Sequence, residues 1–298
     1  MNGSGHTPAL LEELLNYLDI NRKGVYIDCT LGLGGHALEI LKRNPKATLI
    51  GFDIDEKSLI KAKEKLQLYS NRVILYHSDF RYLPDLKIDF PRVKGIFLDF
   101  GLSSFQLDSP ERGFSYSLEG PLDMRMDFRN KITACKVVNK YSEHRLTQIF
   151  REFGELRQAH RLAREIVSRR KIKKIETTTE LCNIVEEIYH WKPQRGKIHP
   201  AAKAFQAIRI EVNQELKSLS GFLERIAQKI PLESRIAAIS FHSLEDRIIK
   251  HTFVDLATPN HRYPLLKILT KKPVTPSQDE ITLNFRARSA KLRVAEKV

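Results

Sequence analysis

The run Asp28-Cys29-Thr30-Leu31-Gly32-Leu33-Gly34-Gly35-His36, with Gly51-Phe52-Asp53-Ile54-Asp55 behind it, holds residue types that could bind a nucleotide. Glycines let a backbone turn sharply and approach a ligand with no Cβ in the way, and the first turn of a following helix offers N–H groups that lack intrahelical partners. Asp53 stands about 20 residues past the loop, the distance at which an acidic side chain can grip a ribose hydroxyl. This spacing points to an adenosine-containing cofactor. The loop alone does not name it, because Gly32-x-Gly34-x-x-Ala37 also satisfies the dinucleotide fingerprint, and a ligand-free strand-to-helix turn uses the same glycines. Asp55 has a second reading, as N-cap of a helix from Glu56 to Leu68. A third carboxylate opens Asp99-Phe100-Gly101-Leu102-Ser103-Ser104-Phe105-Gln106; Asp99 either faces the same crevice or caps the segment after it.

Strands must carry these residues. Val25 to Ile27, Ala47 to Phe52, Val73 to Tyr76 and Val93 to Asp99 are apolar, β-rich runs alternating with amphipathic helices. That alternation predicts an α/β fold with a mostly parallel, doubly wound sheet covered on both faces. His6 to Leu15 predicts a first helix with Thr7 as cap and Pro8 at its first position. The pattern breaks after Leu107. Asp108 to Arg129 reads as irregular, and helices follow over Ser142 to Phe153, Gln158 to Ile172 and Thr178 to Tyr189, the last behind the capping box Thr177-x-x-Glu180. Phe205 to Ile230 keeps one apolar helical face throughout. The sheet resumes at Arg235 to Phe241, followed by a helix from Leu244 to Val254, a loop from Thr258 to Asp279 and a closing strand at Lys291 to Val294. The expected organisation is a cofactor domain of residues 1–106 and 207–298, interrupted by a helical, basic subdomain of residues 107–206.

The chain has 298 residues and a formal charge of +14, with a pI near 9.6. A polyanionic partner fits that balance better than a small acidic metabolite. Lys and Arg outnumber Asp and Glu by 14 to 13 in residues 1–106, by 20 to 13 in 107–206 and by 16 to 10 in 207–298. No apolar run is long enough to span a bilayer and no signal pattern opens the chain, so a cytoplasmic protein is expected. Cys29, Cys135 and Cys182 lie far apart without metal-ligand spacing, and no metal site is expected.

Further segments are distinctive in order: His6-Thr7-Pro8, Glu111-Arg112-Gly113-Phe114-Ser115, Gly120-Pro121-Leu122-Asp123-Met124-Arg125-Met126-Asp127, His199-Pro200-Ala201, Phe205-Gln206-Ala207-Ile208-Arg209, Ser240-Phe241-His242-Ser243-Leu244-Glu245-Asp246-Arg247 and Arg286-Ala287-Arg288-Ser289. From His6 to about Arg293 this succession resembles the MraW family of ribosomal RNA methyltransferases. The resemblance implies a Rossmann-like methyltransferase with an inserted helical subdomain, acting with S-adenosyl-L-methionine on the exocyclic N4 of a cytidine in small-subunit (16S) ribosomal RNA. Carried over position by position, it implies cofactor contacts from Gly34, Gly35, His36, Asp53, Phe80, Asp99 and Gln106. The substrate would be RNA within an assembling or assembled 30S particle, and the protein a monomer or homodimer. Leu33 stands where some relatives carry a basic residue, and Phe285 where proline is common.

Methyl transfer to an amine is an in-line displacement, so such an enzyme mainly has to hold donor and acceptor in a near-attack arrangement. Neither a nucleophile elbow nor a His-Glu-x-x-His helix occurs. The cytosine amine is a poor nucleophile, and a carboxylate accepting one of its N–H groups would localise the lone pair. Asp99 is the expected catalytic residue in that role. His36 reads as a hydrogen-bond donor of the loop, and His242 as either a structural or a substrate-facing residue. Asp123, Arg125 and Asp127 read as a salt-linked loop or as RNA contacts, and Trp191 as packing or as a platform for a stacked base. Arg169-Arg170-Lys171-x-Lys173-Lys174 and the arm Arg286, Arg288, Lys291 and Arg293 are the phosphate-binding candidates. A nicotinamide oxidoreductase would explain the loop and Asp53 alone; a non-catalytic RNA-binding factor would explain only the charge.

Overall fold

The computed structural model describes residues 8–193, 197–258 and 263–298. Two compact units emerge: residues 1–101 with 218–298, and residues 102–217. The insertion thus begins five residues earlier and ends eleven residues later than the 107–206 segment expected.

The first unit is built on a seven-stranded sheet of order β3-β2-β1-β4-β5-β7-β6. Its strands are β1 Gly24–Asp28, β2 Ala47–Asp53, β3 Val73–His77, β4 Val93–Asp99, β5 Arg235–Ser240, β6 Leu266–Ile268 and β7 Lys291–Lys297. The first five run parallel, while β7 lies antiparallel between β5 and β6. Short β6 falls inside the stretch expected to be loop. Helices α1 Leu11–Leu18, α2 Gly35–Arg43 and α3 Glu56–Lys65 precede the insertion. Thr7 lies outside the described residues, and Pro8 does not start α1. That helix begins at Leu11 behind a left-handed Leu10. Asp55 does cap α3, accepting the Lys57 amide at 3.2 Å.

Alternate strand residues feed two cores. Ile27, Ile50, Phe52, Ile96 and Leu98 are buried on one face, Tyr26, Leu49, Phe97, Ala237 and Ile239 on the other, the period of two expected when helices cover both faces.

In the second unit the helices are α4 Ser104–Asp108, α5 Ala134–Lys140, α6 Glu143–Glu152, α7 Ala159–Ile172, α8 Thr178–Tyr189 and α9 Pro200–Asn213. The chain then returns to the first unit through α10 Leu219–Lys229, α11 Ser243–Ala257 and α12 Gln278–Leu283. Two elements depart from expectation. Helix α5, seven residues behind the cap Thr133, is too short for its periodicity to register. The stretch Phe205 to Ile230 is two helices, parted by left-handed Gln214 and Ser218. Its apolar spacing runs on unbroken because each half buries its face in a different core: Phe205, Ile208 and Val212 in the insertion, Leu219, Leu223 and Ile226 against the sheet.

Candidate active site

Three adjacent strands, β2, β1 and β4, each end on an aspartate: Asp53, Asp28 and Asp99. Asp28 is level with Gly51 and Phe97. Paired residues of a parallel ladder share a face, as do residues two apart on one strand. The three carboxyl groups therefore converge on one face of the sheet at its carboxyl edge. Asp28 was missing from the sequence-derived set; its signal is the same terminal aspartate repeated on three strands.

Burial is the main reason the Asp28 carboxyl sits well above the usual carboxylate range. Asp99 and Asp53 push it the same way, while the Thr30 amide, 3.1 Å from Oδ1, opposes them. Burial also pushes Asp53 up to about 6, against the amides that hold it. The Asp55 amide donates to Oδ1 at 2.8 Å and the Gly32 amide to Oδ2 at 2.6 Å, so the glycine loop is tied directly to the tip of β2. Thr30 clamps the other side, its hydroxyl oxygen accepting the Asp99 amide at 2.6 Å.

Gly34, at φ +71°, is the cap residue of α2 and has no side chain to cap that helix's first turn. Gly35 is required by contact, since a Cβ there would lie 2.6 Å from Cγ of Pro8. His36 is buried. Its Nε2 is 3.0 Å from the Ala9 carbonyl, which can only accept, so Nε2 carries the proton and Nδ1 faces Asp99 Oδ2 at 3.7 Å. Burial lowers the His36 pKa, with Asp99 and the Ala9 carbonyl pulling the other way. Its side chain is thus a strut, and what it can offer a ligand is its backbone N–H in the first turn of α2. Phe80 follows the end of β3, where the Ser78 amide bonds the Asp53 carbonyl at 3.0 Å. Its ring meets Phe222 and Phe100 edge-on at 4.8 and 6.2 Å. Gln106 belongs to the second unit, where Ser103 and Gln106 form the capping box of α4; Ser103, and not Asp99, caps that helix.

Other residues singled out in the sequence have partners within the chain. His242 caps helix α11, with Glu245 completing the capping box. Asp123 binds Arg125 through both oxygens at 2.8 Å, and Asn213 of α9 accepts from the Met126 amide and donates to the Met124 carbonyl, each at 2.8 Å. This loop is therefore tied to the insertion's own last helix. Trp191 packs on His199 at 4.8 Å. In the basic run, Arg169 pairs with Glu165 and Glu187, Lys173 with Glu180 and Lys174 with Glu176, while Arg170 donates to the Val138 and Tyr141 carbonyls. In the C-terminal arm, Arg293 and Lys291 both engage Asp246, at 2.6 and 3.6 Å. Most of these cations are committed within the chain.

Cys182, Glu186 and His199 do approach one another closely enough for a metal ion. The tautomer argues against one: His199 Nδ1 accepts the Ala201 amide at the start of α9, so Nε2 carries its proton toward Glu186 Oε1, 3.0 Å away, and has no lone pair for a cation. No helix among the described residues is long and apolar enough to cross a membrane.

The sequence model of the MraW methylase family matches residues 3–298. Among curated proteins, the ribosomal RNA small subunit methyltransferase H of Caldicellulosiruptor bescii is 47% identical, with 98% of this chain and 99% of that protein covered. The protein of the same name from Trichodesmium erythraeum is 44% identical, at the same coverages. Among solved structures, an rRNA methylase from Streptococcus thermophilus aligns over 98% of each chain with a TM-score of 0.44 and 10% identity.

Proposed function

The chain belongs to the MraW methylase family, and from that premise we propose that it methylates the exocyclic N4 of a cytidine in small-subunit ribosomal RNA. S-adenosyl-L-methionine, when bound, supplies an electrophilic methyl group on a positively charged sulfur. The observation that carries the reading is the trio Asp28, Asp53 and Asp99 on one sheet face. Desolvated carboxyl groups that repel one another are stabilised by a cationic ligand. The pyrophosphate of a nicotinamide dinucleotide would add negative charge to the same edge, so the charge pattern favours the sulfonium donor.

Residue roles follow from position. Asp53 accepts the ribose hydroxyls, with its geometry set by the Gly32 and Asp55 amides. The first turn of α2, with Gly34, Gly35 and the backbone of His36, takes a polar end of the donor. Phe80 offers a ring edge to the adenine. Asp99 accepts an N–H of the acceptor amine, which localises the nitrogen lone pair and offsets the positive charge that develops on nitrogen. The substrate is ribosomal RNA in a small-subunit particle. The test is transfer of radiolabelled methyl to small-subunit RNA, free and in particles, followed by nucleoside analysis. N4-methylcytidine is expected; label on any other atom, or none with either substrate, overturns the assignment.

A further inference from the structure

Helix α7 carries two kinds of cation. Arg169, Arg170 and the neighbouring Lys173 and Lys174 are held by acidic side chains or carbonyls of the insertion. Arg161, Arg164, Ser168 and Lys171 are a different set. They recur at i, i+3, i+7 and i+10, which places them along one stripe of the helix, and all four are exposed. The side chains of Arg164 and Lys171 make no ion pair or hydrogen bond with any described residue, and Arg161 touches only the Gln158 side-chain oxygen, at 3.2 Å. Arg157, just before the helix, is exposed and equally uncommitted. Glu143 is engaged by His160 at 3.4 Å.

Resting on the reading of ribosomal RNA as substrate, we infer that this stripe, with Arg157, is a docking rail for the RNA phosphate backbone. Its helical part spans about 15 Å at 1.5 Å per residue, enough for several consecutive phosphates. Arginine forks match phosphate oxygens and, unlike the paired cations beside them, surrender no internal partner on binding. A membrane surface fits less well, because the apolar face of α7, with Leu162, Ala163 and Ile166, is buried in the insertion's core, and Ile172, exposed at the helix end, is too little apolar surface to hold a bilayer. The basic run that stands out in the sequence is then mostly scaffold, and the rail is hidden in the periodicity.

The test compares two variants by fluorescence anisotropy with transcribed small-subunit ribosomal RNA over a series of potassium chloride concentrations. R157Q/R161Q/R164Q/K171Q should flatten the slope of log affinity against log salt by about 2 to 3 and weaken binding roughly 100-fold to 1,000-fold near 0.1 M salt. K173Q/K174Q, taken from the paired cations, should stay within about twofold of the parent. S-adenosylmethionine affinity, measured by calorimetry, should be the same in all three proteins. A steep parent slope that the first variant leaves intact, or an equal loss in the second, overturns the rail alone. A parent protein whose RNA binding ignores salt overturns the RNA reading itself.

Discussion

The tips of the sheet and the insertion use charge in opposite ways. At the tips, Asp28 and Asp53 are hydrogen-bonded by backbone amides and crowd a third carboxyl, and burial holds both above the usual carboxylate range. In the insertion, carboxylates are matched one by one to guanidinium groups: Asp123 with Arg125, Asp127 with Arg129, Glu211 with Arg145 and Glu215 with Arg209. Net charge hides this contrast. Lys and Arg outnumber Asp and Glu by 28 to 21 in the first unit and by 22 to 15 in the second, an excess of seven in each. The near neutrality of residues 1–106 is a property of the segment and is lost once 218–298 folds back beside it in the same sheet. Carboxyl groups crowded together mark a site that waits for a ligand; charge matched pair by pair marks a scaffold.

The most severe way to break the comparison is Asp99→Ala. If Asp99 serves the reacting amine, kcat at saturating donor should fall about a hundredfold to ten-thousandfold. Turnover at the parent rate with saturating donor would remove Asp99 from the chemistry. Next comes Asp53→Asn, which should weaken donor binding roughly tenfold to a hundredfold, the range of a lost charge-assisted hydrogen bond; calorimetry that finds parent affinity would place the ribose elsewhere.

Proton linkage sharpens the same point. Only the ionised Asp53 accepts from both ribose hydroxyls, and its pKa lies near 6 in the free protein. Donor affinity should therefore be flat above about pH 7 and fall by up to about tenfold per unit below pH 6. Stability runs the other way. A carboxyl group whose pKa is raised by folding stabilises the fold most below its unfolded value, near 4, and that contribution is lost as pH rises through the folded pKa. Asp28→Asn and Asp53→Asn should thus raise the melting temperature of the donor-free protein at pH 7 and change it little at pH 4. Equal shifts at the two pH values would mean that the carboxylates are not strained.

Much of this was legible in the residues, and the limits are physical. Strands with apolar runs ending on a charged residue, such as Val93 to Asp99, show themselves because hydropathy changes abruptly at the sheet edge. Asp53 was legible from its distance to the glycine loop. Asp28 was not, because it sits inside the motif and reads as part of the turn. The break at Gln214 left no trace in apolar spacing, since two separate cores demand the same pattern in series. His242 as cap was hidden behind Ser243, a commoner cap residue, because only the structure shows its Nδ1 accepting the Glu245 amide at 3.3 Å. Linear charge did not show the ion pairs of the run Arg169 to Lys174, whose acidic partners Glu165, Glu176, Glu180 and Glu187 lie outside it in sequence.

The scaffold side of the comparison can be tested at two depths. Asn213 makes three hydrogen bonds, accepting from Met126 and donating to the Met124 and Arg209 carbonyls. Asn213→Ala leaves buried backbone groups unpaired and should cost about 2 to 3 kcal/mol, seen as a lower denaturant midpoint with donor affinity unchanged. Thr177→Ala should be milder. The Thr177 hydroxyl oxygen accepts the Glu180 amide at 3.2 Å, and loss of such a cap typically costs about 1 kcal/mol. Yet Glu180 also accepts the Glu176 and Thr177 amides, at 2.8 and 3.2 Å, and holds Lys173. Thr177→Ala therefore removes one bond of a linked set, and Thr177→Ala with Glu180→Gln together should cost less than the two single losses summed, because each single loss already weakens the shared bonds. If the double variant is merely additive in its midpoint shift, the charge network at the start of α8 is decoration on the cap, and the insertion owes its rigidity to its apolar core.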